Sequence, residues 1–186
     1  MDSFFDEESI TAALRNPDTC RKAFSEVVKH YSQPLYWQIR RMVLSHDDTD
    51  DLLQNTFLKA WSNIYAFRGD AKLSTWLYRI AINESINFLN KQRKAQNVPI
   101  DGEHDFMMSQ LEADGYFDGD STQKALQEAI LTLPEKQRLV FNMKYFDDMK
   151  YEEMSEYLGT SVGALKATYH HAVKKIENFL ESKEID

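Results

Sequence analysis

The chain has 186 residues, 42% of them hydrophobic and 28% charged, which fits a soluble folded protein rather than a disordered one. No apolar run approaches the roughly 20 residues needed to cross a bilayer, and the acidic start Met1-Asp2-Ser3-Phe4-Phe5-Asp6-Glu7-Glu8 is unlike the basic head of a secretory signal. A single cysteine, Cys20, excludes an internal disulfide and fits a reducing cytoplasm, while a formal net charge of −8 argues against simple coating of nucleic acid.

Only 6 glycines and 4 prolines punctuate the chain, and apolar residues recur at helical spacing, so the fold is predicted to be all-α. A first helix runs from about Glu8 to Arg15 and stops before Asn16-Pro17. Asp18 or Thr19 is expected to cap the next, with Phe24, Val27, Val28 and Tyr31 on one face. Pro34 predicts a break or kink ahead of a segment from Leu35 to Leu44. The run Asp47-Asp48-Thr49-Asp50-Asp51 opens a helix through about Tyr65, its carboxylates suiting the positive end of the helix dipole. Phe67-Arg68-Gly69-Asp70 reads as a turn, after which Ser74 or Thr75 starts a long helix to about Lys94.

Ala95 to Ser121 carries Pro99, Gly102, Gly115 and Gly119 and no Lys or Arg, against seven carboxylates: Asp101, Glu103, Asp105, Glu112, Asp114, Asp118 and Asp120. A stretch of this length and composition predicts an aperiodic, flexible acidic linker. It divides the chain into a helical domain over 1–94, the linker over 95–121 and a second helical domain over 122–186. In the second, Leu126, Ala129, Ile130 and Leu133 mark one helix, Pro134 starts another through Tyr145, and helices follow from Tyr151 to Leu158 and from Ser161 to about Leu180.

The charges are sorted along the chain. Arg68, Lys72, Arg79, Lys91, Arg93 and Lys94 stand against Asp70 and Glu84 alone, and Ser161 to Ile176 holds Lys166, Lys174 and Lys175 with no carboxylate. The last two helices have the form of a helix-turn-helix: Met154 and Leu158 inward, Gly159 where the turn wants a positive φ, and Ser161 as a cap. Leu165, Tyr169, Ala172 and Ile176 fall on one side of the last helix. Lys166, His170 and Lys174 fall on the other, with Thr168, His171 and Lys175 beside them, as a major-groove reading helix requires. On the long central helix, Trp76, Arg79, Asn83, Asn87, Lys91 and Lys94 lie largely opposite the apolar arc, although Ile80 intrudes. Amides there can bond base edges, cations can meet phosphates and an aromatic can stack on a splayed base.

Three segments then carry a resemblance: Asp51-Leu-Leu-Gln-Asn-Thr-Phe-Leu-Lys-Ala-Trp61, Phe67-Arg-Gly-Asp70 and Ser74-Thr-Trp-Leu-Tyr-Arg-Ile-Ala-Ile-Asn83. Together they resemble the second conserved region of extracytoplasmic-function sigma factors. Leu133-Pro-Glu-Lys-Gln-Arg138, followed by Tyr151-Glu-Glu-Met-Ser-Glu-Tyr-Leu-Gly159, resembles their fourth. The resemblance implies an N-terminal helical bundle and a C-terminal four-helix domain that bind core RNA polymerase, at its clamp coiled coil and its flap, and direct promoter recognition, melting and initiation. Asp51, Leu52, Gln54 and Asn55 would meet core polymerase while Leu53, Phe57, Trp61 and Ile64 pack inward. Trp76, Arg79, Asn83, Asn87, Lys91 and Lys94 would meet the minus-ten element, with a flipped base captured at the turns after Phe67 and after the long helix. Ser161, Lys166, Thr168, His170, His171 and Lys174 would face the minus-thirty-five element. The linker would thread the basic active cleft and exit channel of the polymerase. Such proteins are commonly restrained by an anti-sigma factor, often membrane-anchored, and the implied location is cytoplasmic.

The sequence also departs from that pattern. Asn55 stands where glutamate is common, and Ala164, Thr168 and His171 replace residues that are often Thr, Arg and Arg. Fewer cations on the reading helix predict a shallower salt dependence. An alternative is a helix-turn-helix regulator with an N-terminal dimerisation or sensor domain, which accounts for the second half only. An enzyme is a third reading: Asp47, Asp48 and Asp51 satisfy the Asp-Asp-x-x-Asp spacing that holds magnesium in prenyl-diphosphate enzymes, but Phe146-Asp147-Asp148-Met149 does not repeat it. No Ser/His/Asp, Cys/His or glycine-rich phosphate loop is present, so neither catalysis nor a cofactor is expected. His170-His171 is not expected to bind metal, because adjacent helical residues point about 100° apart.

Overall fold

The computed structural model describes residues 5–67, 69, 71–97, 103–113 and 121–184. Among these the secondary structure is helical throughout: α1 (Glu7–Leu14), α2 (Pro17–Val43), α3 (His46–Ser62), α4 (Leu73–Ala95), α5 (Glu103–Ala113), α6 (Ser121–Leu131), α7 (Glu135–Tyr145), α8 (Tyr151–Leu158) and α9 (Val162–Glu184), with a 3-10 turn at Ile64–Ala66. The chain divides into two compact units. One comprises residues through Val43 and Asp47–Phe88; the other comprises Leu44–His46 and everything from Leu89 onward.

The first unit is organised around α2. Cys20, Ala23, Val27, Tyr31, Leu35, Ile39 and Met42 recur every three or four residues and are all buried, so one stripe of the helix supplies the core. Its start is set by Asn16, whose side-chain oxygen accepts from Asp18 N at 3.0 Å, with Pro17 in the first helical position. Neither Asp18 nor Thr19 is the cap. Thr19 Oγ1 instead donates to Ala13 O at 2.8 Å and fastens α2 to the end of α1. The predicted break at Pro34 is absent, since α2 continues through it. Pro34 is exposed, where water can meet the carbonyl left without its N–H partner, and the fully buried Leu35 and Ile39 hold the helix from the other side.

The second unit is built around Ala129, Ile130, Leu133, Phe141, Ala172 and Ile176, closed by the half-buried Leu126, Tyr169, Val173, Phe179 and Leu180. Part of the stretch predicted to be aperiodic is ordered: residues 103–113 form α5, with Phe106, Met107 and Leu111 buried. Three buried apolar side chains suffice for a helix that tertiary packing stabilises. The remaining linker positions 98–102 and 114–120, like Arg68 and Asp70 of the predicted turn, lie outside the described residues. Gly159 ends α8 at φ +62, its N–H bonded to Ser155 O at 2.9 Å, and Ser161 Oγ accepts from Ala164 N at 3.3 Å to start α9. Both devices match the reading of the sequence.

Candidate functional site

Three surfaces collect the residues singled out above. The first is an open, apolar groove of about 520 Å³ between α2 and α3, walled chiefly by Phe24, Val28, Leu53, Phe57, Leu58 and Trp61. Phe24 packs its ring edge-on to Phe57 at 6.4 Å and against Trp61 at 5.0 Å. Leu58 and Trp61 keep 57% and 38% of their surface exposed, a large apolar area to leave in water. The placement of three residues differs from expectation. Leu52 is only 5% exposed and shares the inward face with Thr49, Thr56 and Ala60, so it has no surface to offer a partner. Leu53 and Trp61, predicted to pack inward, line the groove instead. Gln54 also lines it, and Asp51 and Asn55 are exposed on the adjoining turn of α3.

The second surface is a stripe on α4. At about 100° per residue, Trp76, Arg79, Asn83, Asn87, Lys91 and Lys94 fall within an arc of about 120°. Arg79, Asn83, Asn87, Lys91 and Lys94 are exposed, Trp76 is half-buried, and the intruding Ile80 is half-buried as well. Trp76 stacks on Phe67 with ring centroids 5.0 Å apart and 29° between planes, so the turn before α4 and its first turn share one aromatic contact. Opposite the stripe, Leu73, Leu77, Tyr78, Ala81 and Ile82 are buried. Glu84, at the edge of the stripe, is paired with Lys59 of α3 at 2.5 Å. That ion pair compensates the carboxylate that α4 itself carries, and a separation of 25 residues hides it from any reading of local sequence.

The third surface is the outer side of α9. Leu165, Ala172 and Ile176 are buried, while Lys166, His170, His171, Lys174 and Lys175 are exposed. Two of the expected contacts are already engaged with backbone: Ser161 caps the helix, and Thr168 Oγ1 donates to Ala164 O at 2.8 Å, leaving its oxygen only an accepting role. Tyr151 is an addition that spacing alone did not single out. Its ring carries Lys166 Nζ and Lys144 Nζ, each 5.7 Å from the centroid. Lys144 donates to Asp148 Oδ1 at 2.9 Å, which raises the pKa of its ammonium. Burial raises the phenol of Tyr169, which meets Tyr151 edge-on at 6.4 Å. Among the described residues no cluster of three or more His, Cys, Asp or Glu side chains could hold a metal ion.

Residues 27–95 match the Sigma-70 region 2 family and residues 123–176 match Sigma-70, region 4. The chain is 33% identical over 156 residues to the ECF RNA polymerase sigma factor SigW of Bacillus subtilis, covering 80% of this chain and 83% of that one. The chain belongs to the ECF RNA polymerase sigma factors. A second relative, the ECF RNA polymerase sigma-E factor of Haemophilus influenzae, is 29% identical over 87% of this chain and 89% of its own. The fold is similar to that of the sigma factor RpoE of Bartonella quintana, solved in complex with the anti-sigma factor NepR. The TM-score is 0.65 at 20% identity, over 86% of this chain and 98% of that one. The function of this ECF sigma factor is therefore promoter recognition in transcription initiation. A free-standing regulator is not favoured, since it accounts for the region 4 match and leaves the region 2 match without a purpose.

Proposed function

We propose that the three surfaces divide the work of this sigma factor. The α2–α3 groove, with Asp51, Gln54 and Asn55 beside it, docks on the clamp coiled coil of core polymerase. The α4 stripe reads and melts the minus-ten element, and the outer side of α9 reads the minus-thirty-five element. In domain terms, residues 1–94 bind polymerase and open the promoter, 95–121 bridge, and 122–186 read the upstream duplex. The observation that carries this reading is the exposure of Asn83 and Asn87 between Arg79 and Lys91 on one helical arc. Amides of that kind bond base edges while the flanking cations meet phosphate. Run-off transcription with core enzyme and a promoter library tests it: the chain should direct initiation from a defined promoter class with no other sigma factor present. Failure to support initiation from any template would overturn it.

The charge balance supports an ordered sequence of events. At −8 the free chain repels duplex DNA, so promoter recognition waits until core polymerase supplies the electrostatic attraction. Strong sequence-specific duplex binding by the purified chain would contradict this. An anti-sigma partner fits the same groove: the RpoE structure was solved with NepR, and an amphipathic helix laid in the α2–α3 groove would exclude polymerase by competition. The expected location is the cytoplasm, with promoter DNA and polymerase; no described helix is long and apolar enough to cross a membrane.

A further inference from the structure

Helix α1 lies outside the matched region 2 span of 27–95, yet it is tied to the start of α4. Glu7 Oε1 accepts from Leu73 N and, at 3.4 Å, from Ser74 N, while Tyr31 OH donates to Glu7 Oε2 at 3.3 Å. A carboxylate from 66 residues away thus serves as a cap for α4. It brings negative charge to the positive end of that helix's dipole. Leu73 and Thr75 begin the buried face of α4, and Trp76, which opens the outward face, carries the stack on Phe67.

Helix α1 touches the preceding turn as well. Gly69 sits at φ +73, a conformation that disfavours a side chain, and a Cβ placed there would press on the Arg15 guanidinium tip, with the Thr11 methyl just beyond. On its other side α1 is anchored to α2: Leu14 is buried, and Phe5 stacks on His30 at 3.9 Å and meets Tyr31 edge-on at 5.5 Å. The first turn of α4 is therefore held from α1 at Leu73 and Ser74.

We infer that Glu7 is a positioning residue for promoter melting: from α1 it fixes the first turn of α4, and with it the angle at which Trp76 and the polar stripe meet the strand. The inference rests on the melting role assigned above to α4. Without the cap the first turn frays, and the rigid edge against which a base is extruded becomes mobile. Extrusion costs a few kcal/mol of unstacking, and a frayed contact surface returns less of it.

The experiment uses the full chain with core enzyme. Glu7→Ala should slow open-complex formation on a duplex promoter about tenfold, the scale of a lost cap. Glu7→Gln should stay within about twofold, because its amide oxygen accepts the same two N–H groups. On a template already unpaired at the start region, Glu7→Ala should regain most of the wild-type rate. Hydrogen exchange in the free chain reads the cap directly, and the amides of Leu73 and Ser74 should exchange faster in Glu7→Ala than in Glu7→Gln. Unchanged exchange would remove the cap and overturn the inference. So would a Glu7→Ala variant that opens duplex promoters at the wild-type rate, or Ala and Gln variants impaired alike. If the wild-type chain itself opened no promoter, the reading of α4 would fail, while the exchange result would still stand by itself.

Discussion

Lys166 holds its ammonium 5.7 Å from the centroid of the Tyr151 ring, so the first residue of α8 forms a shelf for a cation on α9. Lys144 shares the ring at the same distance, and its own ammonium is fixed by Asp148. A lysine chain otherwise samples many rotamers, and holding it in place lowers the entropy lost when it meets a phosphate. Tyr151→Leu should weaken binding of the holoenzyme to a duplex promoter about two- to fivefold, the range of an exposed cation–π contact. Tyr151→Phe should be near neutral. Lys166→Ala should also reduce the slope of log affinity against log salt by about one. Filter binding across a salt series checks all three.

Gly159 should be replaceable at a cost set by backbone alone. A Cβ built there meets nothing within 4 Å, so only the left-handed φ of +62 resists it. Gly159→Ala is expected to destabilise the chain by about 1–2 kcal/mol, and Gly159→Asn by less, because asparagine tolerates that region. Urea unfolding of the full chain followed by circular dichroism measures the difference.

Two leucines of α3, Leu52 and Leu58, should behave oppositely. Leu52→Ala removes a 5% exposed side chain and should cost about 2–5 kcal/mol of stability. Leu58→Asp changes a residue that is 57% exposed, so stability should hold within about 0.5 kcal/mol. Affinity for core polymerase should nevertheless fall tenfold or more, since a charge placed in an apolar contact must be desolvated without a partner. Thermal melting and a fluorescence titration with core enzyme separate the two effects.

Asn83→Ala with Asn87→Ala makes the sharpest case for the α4 stripe. Both side chains are exposed, so the double variant should melt within about 0.5 kcal/mol of wild type and bind core polymerase normally. Open-complex formation, followed by permanganate reactivity of unpaired thymines, should be lost on its target promoters. Wild-type opening by this variant would sink the assignment of the stripe.

Much of this was legible in the chain itself, for a local reason. Helical periodicity assigns faces within one element, so Leu165, Ala172 and Ile176 separate from Lys166, His170 and Lys174 without knowledge of any neighbour. Gly159 and Ser161 are likewise local, because φ and a cap three residues away are properties of a short segment. Tertiary structure decided the rest. Leu52 and Leu53 are chemically identical neighbours, and only the helices packed around α3 determine which of them is covered and which faces the groove. Pro34 stays in α2 because burial of Leu35 and Ile39 outweighs a missing hydrogen bond, and α5 forms although its apolar pattern is thin. Pairs such as Lys59 with Glu84 and Glu7 with Leu73 lie 25 and 66 residues apart. Periodicity carries no information across such distances; the folded chain brings these groups within a few ångströms only once the apolar faces have packed.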